Sequence, residues 1–142
     1  MIYIASDHAG YTTKLKVLNF LEKHKLDYVD LGPDTTDSVD YPDYAEKLAK
    51  QMEKEPNSVG ILVCRTGIGM SIGINRYKFL RGALCRSPKD AYLSRAHNDA
   101  NVLVIGAGLC CLKRKKIIKT FLNTEFEGGR HSRRIEKLGK LG

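Results

Sequence analysis

The fold of this chain is decided by the stretch Val59-Gly60-Ile61-Leu62-Val63-Cys64, which runs directly into Arg65-Thr66-Gly67-Ile68-Gly69-Met70-Ser71. The first half is a short apolar run rich in branched side chains, which predicts a strand. The second half is a glycine-rich turn that leads into a helical pattern. A strand, a turn and a helix in succession are typical of a parallel sheet with helices on its faces.

The same alternation continues on both sides of this stretch. Four further apolar runs predict strands at Ile2–Ala5, Tyr28–Leu31, Gly82–Leu84 and Val102–Ile105. With Val59–Cys64 they make five strands. We therefore expect an α/β fold with a five-stranded parallel sheet, in a single domain over residues 1–142.

Helical patterns lie between the predicted strands. An apolar face recurs at spacings of 4, 3 and 3 through Tyr11, Leu15, Leu18 and Leu21. A second helix opens at Pro42-Asp43 and carries a stripe of Tyr44, Leu48 and Met52. Ser87 and Pro88 fit an N-cap and the first position of another helix. Two more helices are predicted over Cys111–Leu122 and Ser132–Leu138.

Composition and charge limit the classes of protein to which this chain can belong. The chain has 142 residues, of which 42% are hydrophobic and 28% charged. It lacks a run of about 20 apolar residues, and Met1–Ala5 does not resemble a signal peptide. The segment Lys113–Gly142 holds ten Lys/Arg against three Asp/Glu, so +7 of the net +8 lies there. Such a segment suits anionic partners, whether nucleic acid, acidic lipid or small phosphates.

The four cysteines predict reduced thiols and hence a cytoplasmic protein. They form no zinc-type spacing. Cys64 stands at the end of a predicted strand and the start of a helix, beside Arg65, a setting that favours the thiolate. Cys64 is interpreted as a base or nucleophile, with a buried inert thiol as the alternative. Cys85, Cys110 and Cys111 are expected to be structural.

Ligands of parallel sheets bind outside the carboxyl ends of the strands, so the residues near strand ends are the candidates for a site. These segments are Ser6–Gly10, Cys64–Ser71, His97–Asn101 and Gly128–Arg134. The Gly67-x-Gly69 turn predicts an oxyanion or phosphate site, although it matches neither a dinucleotide fingerprint nor a P-loop. Its alternative is a turn that merely uses glycine for positive φ.

Charged and imidazole groups supply the other candidates. We expect the carboxylate of Asp7 to orient the ring of His8. If the last helix forms, Arg130, His131 and Arg134 share a side on which a phosphate could bind; the alternative is a solvated basic face. His97 is either a functional residue or an ordinary core or surface histidine. Tyr41-Pro42 and Gly32-Pro33 are interpreted as turn chemistry only.

Five motifs in sequence resemble the B-type ribose-5-phosphate isomerases, a family that also contains galactose-6-phosphate and allose-6-phosphate isomerases. The motifs are Ser6-Asp7-His8-Ala9-Gly10, Asp40-Tyr41-Pro42, Cys64–Ser71, His97–Asn101 and Glu127-Gly128-Gly129-Arg130-His131. The resemblance runs from Met1 to about Leu138. It implies a Rossmann-like three-layer sandwich, interconversion of ribose 5-phosphate and ribulose 5-phosphate through an enediolate, and no metal or other cofactor.

The resemblance also implies roles for individual residues. Cys64 matches the general base, and Thr66 with the backbone of Arg65, Gly67, Ile68 and Gly69 matches the hole for the enediolate. His97 and Asp7 match residues that open the sugar ring and handle hydroxyl protons, and Asn98 lies near the carbonyl end. His8, Arg130, His131 and Arg134 match phosphate-binding positions. The C-terminal helix is expected to reach the neighbouring subunit of a homodimer or homotetramer with shared active sites.

Two departures from the family pattern concern charge. Arg65 stands where the family usually has glycine, so its backbone is expected to be strained or its guanidinium to add charge to the site. Leu109 follows Ala107-Gly108 where many members carry an arginine, and we hypothesise that Arg65 partly replaces that cation.

Other functions remain as alternatives to a pentose phosphate isomerase. The first is a hexose-6-phosphate isomerase of the same family, since pocket length cannot be read from sequence. The second is a catalytically impaired sugar-phosphate-binding protein. A nucleic-acid-binding module is disfavoured because the chain has no Trp and no basic stripe interleaved with aromatic residues.

Overall fold

The computed structural model describes all residues from Met1 to Gly142 and contains one parallel sheet of five strands in the order β2-β1-β3-β5-β4. The strands are β1 (Ile2–Ser6), β2 (Tyr28–Asp30), β3 (Val59–Cys64), β4 (Gly82–Leu84) and β5 (Val102–Gly106). All four pairings between neighbouring strands are parallel. The predicted strands are thus confirmed, with a shift of one residue at the C-terminal ends of β1, β2 and β5.

The chain forms six helices: α1 (Tyr11–Lys23), α2 (Tyr41–Lys54), α3 (Ile68–Ile74), α4 (Pro88–Ala96), α5 (Cys111–Asn123) and α6 (Arg130–Gly139). The N-cap prediction at Ser87 is confirmed, because its side chain accepts a hydrogen bond from the backbone of Asp90 at 3.1 Å. Helix α6 begins two residues before the predicted Ser132. No helix of the chain is long and apolar enough to span a bilayer.

Side-chain alternation along the strands divides the core into two clusters, one on each face of the sheet. Ile4, Ile61 and Ile105 point to the face that α1, α4 and α5 cover. Ala5, Leu62 and Cys64 point to the opposite face, under α2 and α3. The arrangement is the expected three-layer sandwich.

The buried face of α1 differs from the predicted one. Leu15 is 44% exposed, whereas Lys14 is fully buried. Lys14 Nζ forms an ion pair with Asp30 Oδ1 at 2.7 Å and donates to the carbonyl of Pro33 at 2.6 Å. This pairing rotates the helix so that the lysine faces the sheet, which the apolar periodicity of the sequence does not reveal.

The direction of α4 determines where His97 lies. Because α4 connects β4 to the parallel strand β5, it runs against the strands and its C-terminal residue is at their amino-terminal edge. Its nine residues span about 13 Å, roughly the height of the sheet. His97 caps this end of α4 and is therefore on the edge opposite to Cys64, which ends β3.

Removing Asp30 should leave the buried Lys14 charge without its counter-ion. We expect Asp30→Ala to lower the free energy of unfolding by about 3 kcal/mol, measured by urea denaturation. Asp27→Ala, which removes an exposed carboxylate three positions earlier, serves as the matched control and should change it by less than about 0.5 kcal/mol. Equal effects of the two substitutions would contradict a structural role for the ion pair.

Candidate active site

The first group of candidate residues lies where the sheet order reverses. Strands β1 and β3 are neighbours, and the helices that follow them, α1 and α3, lie on opposite faces of the sheet. Such a reversal opens a crevice at the carboxyl ends of the two strands. The backbone amide of Asp7 donates to the carbonyl of Val63 at 3.2 Å, which holds the segment after β1 against the segment after β3.

The Cys64 thiol faces hydrogen-bond donors on its own loop. Its side chain is buried, and the backbone amide of Gly67 donates to Sγ at 3.1 Å. The amide of Ile68 donates to Thr66 Oγ1 at 3.1 Å. The next two amides, those of Gly69 and Met70, donate no hydrogen bond within the chain. They are the unused donors of the first turn of α3, and they can stabilise an oxyanion.

Two glycines shape this loop. Gly67 has φ of +81°, and a Cβ at this position would lie 2.5 Å from Leu84 Cδ1. A Cβ at Gly69 would lie 2.8 Å from the ring of Tyr41. The interpretation of Tyr41 as turn chemistry alone is therefore wrong, because its ring forms one wall of the Cys64 loop. The contact between Tyr41 and Gly69 could not be predicted, because the two residues are far apart in sequence.

Asp7 and His8 lie beside this loop but are not paired as expected. Asp7 is buried, and its Oδ1 accepts a hydrogen bond from the amide of Gly10 at 2.8 Å. The ring of His8 instead accepts from the amide of Val39 at 3.1 Å through Nδ1. The predicted orientation of His8 by Asp7 is corrected accordingly: the loop before α2 orients the ring, because Asp7 is engaged with the start of α1.

Arg65 fits its position without backbone strain. The non-glycine residues with positive φ are Lys25 and Asp99, so the expected strain at Arg65 is wrong. Its side chain is exposed, and its carbonyl and that of Cys64 both accept from the amide of Ala107, at 3.1 and 2.9 Å. The loop after β5, which contains Leu109, is thereby joined to the Cys64 turn.

A second group of candidates lies at the amino-terminal edge of the sheet. The rings of His97 and His131 stack with centroids 4.3 Å apart and planes at 14°. Glu127 Oε2 is 3.7 Å from Nε2 of each ring. The three donor atoms lie within 4.8 Å of one another, so these residues could hold a metal ion. The sequence predicts that His97 and Cys64 both lie near the strand ends that form the site. The structure instead places them at opposite edges of the sheet within one chain.

The remaining candidates surround this second group. Arg130 and Arg134 are exposed on α6, while His131 is buried against His97, so the three do not present one common exposed face. Asn98 is exposed next to His97. The turn that carries both is fixed by Asp99, whose carboxylate pairs with Arg95 at 2.9 Å and with Arg81 at 3.4 Å. Arg81 was missed because it is distant from Asp99 in sequence, whereas the spacing of four residues between Arg95 and Asp99 could have indicated that pair.

The surroundings of the histidines and thiols change their protonation. Burial, followed by the nearby His97 and Arg130, lowers the pKa of His131, although Glu127 opposes the shift. Burial raises the pKa of Cys85 to about 11, which agrees with its expected structural role. Cys110 and Cys111 are exposed, and their assignment as residues without a catalytic role stays a prediction. They precede and begin α5 on the protein surface.

Comparisons with known proteins agree with this architecture. Residues 2–138 match the family described as Ribose/Galactose Isomerase. A crystal structure of a ribose 5-phosphate isomerase from Thermotoga maritima is 46% identical, with a TM-score of 0.95 over 99% of this chain and 97% of that one. The Mycoplasma genitalium ribose-5-phosphate isomerase B, solved with bound ribulose 5-phosphate, is 40% identical, with a TM-score of 0.92 over 98% and 93% of the two chains.

A curated relative has a less specific name. A Rickettsia conorii protein named as a sugar phosphate isomerase is 47% identical over 138 residues, which is 96% of either chain. Fold, motif order and these matches define the class as α/β sugar isomerases. The chain belongs to the ribose/galactose isomerase family, and the protein is a sugar phosphate isomerase of that family.

A side chain at position 67 should disturb the loop around Cys64. We expect Gly67→Ala to lower the free energy of unfolding by about 1–3 kcal/mol, because positive φ and the contact with Leu84 both oppose a Cβ. Gly108→Ala is the matched control, since a Cβ there meets nothing within 4 Å. Thermal denaturation of both variants tests this expectation, and an unchanged midpoint for Gly67→Ala would contradict it.

Protonation of His131 should destabilise the folded chain. Its folded pKa lies below the unfolded value of 6.5, so the unfolded state binds more protons as the pH falls through this value. The stability that neutral His131 contributes is therefore complete above about pH 7 and decreases as the pH falls below 6.5. Urea denaturation should show a weaker pH dependence for His131→Gln than for wild type. His24→Gln is the control, and a parallel loss of pH dependence there would refute the assignment.

Proposed function

We propose that this protein interconverts ribose 5-phosphate and ribulose 5-phosphate by proton transfer through an enediolate, without a metal cofactor. The observation that carries the proposal is the Cys64 loop, which presents a thiol and two unused backbone amides in one crevice. Proton abstraction beside a carbonyl needs both a positioned base and charge stabilisation where the enediolate forms. The resemblance to B-type ribose-5-phosphate isomerases and the relatives bearing that name support the pentose substrate.

In this mechanism Cys64 is the base that moves a proton between C2 and C1 of the open-chain sugar. The amide of Gly67 stabilises the thiolate by donating to Sγ. The amides of Gly69 and Met70, with the hydroxyl of Thr66, stabilise the developing enediolate oxygen. One such donor is typically worth about 2.7–4 kcal/mol in the transition state. Asp7, whose backbone amide donates to the carbonyl of Val63 beside Cys64, is assigned to the transfer of a hydroxyl proton.

The second group would act in a neighbouring molecule. His97 and Asn98 are assigned to ring opening and the carbonyl end, and Arg130, His131 and Arg134 to the phosphate. They lie at the edge opposite to Cys64 in their own chain, so one chain cannot bring both groups to one sugar. A symmetric dimer can bring the two groups of residues together. In such a dimer the amino-terminal edge of the sheet in one chain can contact the carboxyl-terminal edge of the sheet in its partner. We therefore propose a homodimer, or a homotetramer made of two such dimers, with composite sites.

The activity can be tested on purified protein with ribose 5-phosphate in EDTA, following ribulose 5-phosphate. We expect turnover by wild type and a loss of at least about a hundredfold in Cys64→Ala, since a positioned base contributes about 10²–10⁴. Cys110→Ala, which removes an exposed thiol, is the matched control and should retain activity. Turnover by Cys64→Ala would reject this base. Turnover of allose 6-phosphate or galactose 6-phosphate alone would reject the pentose assignment.

Composite sites can be tested by mixing two inactive variants. Cys64→Ala and His97→Asn each disable every site in their own homodimers. In a mixed dimer one site carries both substitutions and the other carries none. After unfolding and refolding of an equal mixture, we expect about a quarter of wild-type activity. No recovered activity, despite mixed dimers being present by mass spectrometry, would show that each site belongs to one chain.

A further inference from the structure

Three metal-ligating side chains meet at the amino-terminal edge of the sheet, those of His97, Glu127 and His131. Glu127 Oε2 is 3.7 Å from Nε2 of His97 and 3.7 Å from Nε2 of His131. Both distances exceed the usual range of a hydrogen bond. They are close to the roughly 3.4 Å that separates two ligand atoms of a tetrahedral zinc ion with bonds of about 2.1 Å. The spacing therefore suits an ion between the three groups better than direct hydrogen bonds.

The backbone around these side chains is fixed by contacts between two distant segments. The amide of Glu127 donates to the carbonyl of Ala96 at 3.0 Å, which joins the segment before α6 to the end of α4. Nε of Arg95 donates to the carbonyl of Thr124 at 3.1 Å and provides a second link between the same segments. The fold itself thus brings the carboxylate to the two imidazoles, and an ion would not have to assemble the site.

The chemistry of the three ligands favours zinc. Two imidazole nitrogens and one carboxylate oxygen are a known ligand set of zinc sites, in which a water molecule or another small ligand occupies the fourth position. Magnesium and calcium prefer sites made of oxygen atoms alone, whereas imidazole suits zinc and its neighbours among the transition metals. We therefore expect this group to select zinc over magnesium and calcium.

The two imidazole rings must change their relative orientation to bind one ion. They stack with planes at 14° and centroids 4.3 Å apart, so their Nε2 lone pairs run side by side and do not converge. The side chain of His131 is 9% exposed, whereas those of His97 and Glu127 are 36% and 49% exposed. His131 is therefore the fixed ligand, and the other two side chains have room to turn toward an ion bound to it.

We infer that His97, Glu127 and His131 form a zinc-binding site, and that zinc bound there inhibits the protein. The ion takes the Nε2 lone pairs of both histidines, so His97 can no longer exchange protons with a sugar and His131 can no longer contact a phosphate. The inhibition rests on the proposed function, in which these two histidines act on the substrate. The binding of zinc does not rest on it, because it depends only on the three side chains.

NMR spectra of the imidazole nitrogens test the binding on the whole protein. The chain has four histidines. We expect zinc to shift the ring resonances of His97 and His131 and to leave those of His8 and His24 unchanged. His24 is a suitable internal control because its Nδ1 contacts the carbonyl of Phe20 at 2.9 Å, away from the site. Shifts confined to His8 or His24, or no shift at all, would overturn the inference.

Zinc affinity is measured by competition with a chromogenic chelator. Because Cys110 and Cys111 are exposed thiols that also bind zinc, the parent protein for this titration carries Cys110→Ser and Cys111→Ser. We expect Glu127→Gln to lower zinc affinity at least about tenfold, the lower end of the loss seen when only an outer-shell partner is removed. Glu125→Gln, which removes an exposed carboxylate two positions earlier, is the matched control and should bind zinc as the parent does. Unchanged affinity in Glu127→Gln, or an equal loss in both variants, would contradict the site.

Steady-state kinetics test the inhibition separately from the binding. We expect zinc to stop the conversion of ribose 5-phosphate and EDTA to restore it, each variant being compared with its own rate in EDTA. Glu127→Gln should need at least about tenfold more zinc for half-inhibition than Glu125→Gln. Equal sensitivity of the two variants would place the inhibition elsewhere and overturn this part of the inference. Zinc-induced shifts of His97 and His131 in a protein without isomerase activity would reject the proposed function and leave the metal site intact.

Discussion

The hydrogen bond from the Gly67 amide to Cys64 Sγ is the interaction on which the rest of the site depends. It forms because Gly67 has a positive φ, which turns the chain back over the end of β3 and starts α3 with its amides directed into the crevice. Leu84, Gly106 and Tyr41 pack closely around this turn. The sheet, two helices and a loop therefore enforce one backbone conformation, and that conformation places a thiol among donors.

A second constraint separates the candidate residues into two groups. Helix α4 connects two parallel strands and must run against them, which puts His97 at the edge that Cys64 does not occupy. Glu127, His131 and Asp99 then fix the surroundings of His97 through contacts between α4, the start of α6 and the turn before β5. In the proposed function, each end of such a chain supplies half of a site. Pairing of two chains is consequently part of the proposed chemistry.

The basic charge of the chain is concentrated in its last two long helices. The surplus of the last thirty residues lies on α5 and α6, and it includes the exposed Arg130 and Arg134. Arg114 belongs to the same basic segment but is buried without a carboxylate. Surface cations need no partner because water solvates them, whereas a buried guanidinium does. Net charge does not express this difference between exposed and buried cations.

The sequence by itself determined the order of strands and helices, the Ser87 cap and the residues of the Cys64 loop, because these depend on local periodicity, capping and turn chemistry. The family pattern added the remaining candidates by position. Only the tertiary structure decided that α1 buries Lys14 instead of Leu15 and that the ring of Tyr41 packs against Gly69. It also decided that the amide of Val39 orients His8. Finally, it placed His97 at the edge of the sheet opposite to Cys64. Each of these depends on contacts between residues distant in the chain, and local preferences contain no information about which distant groups will meet.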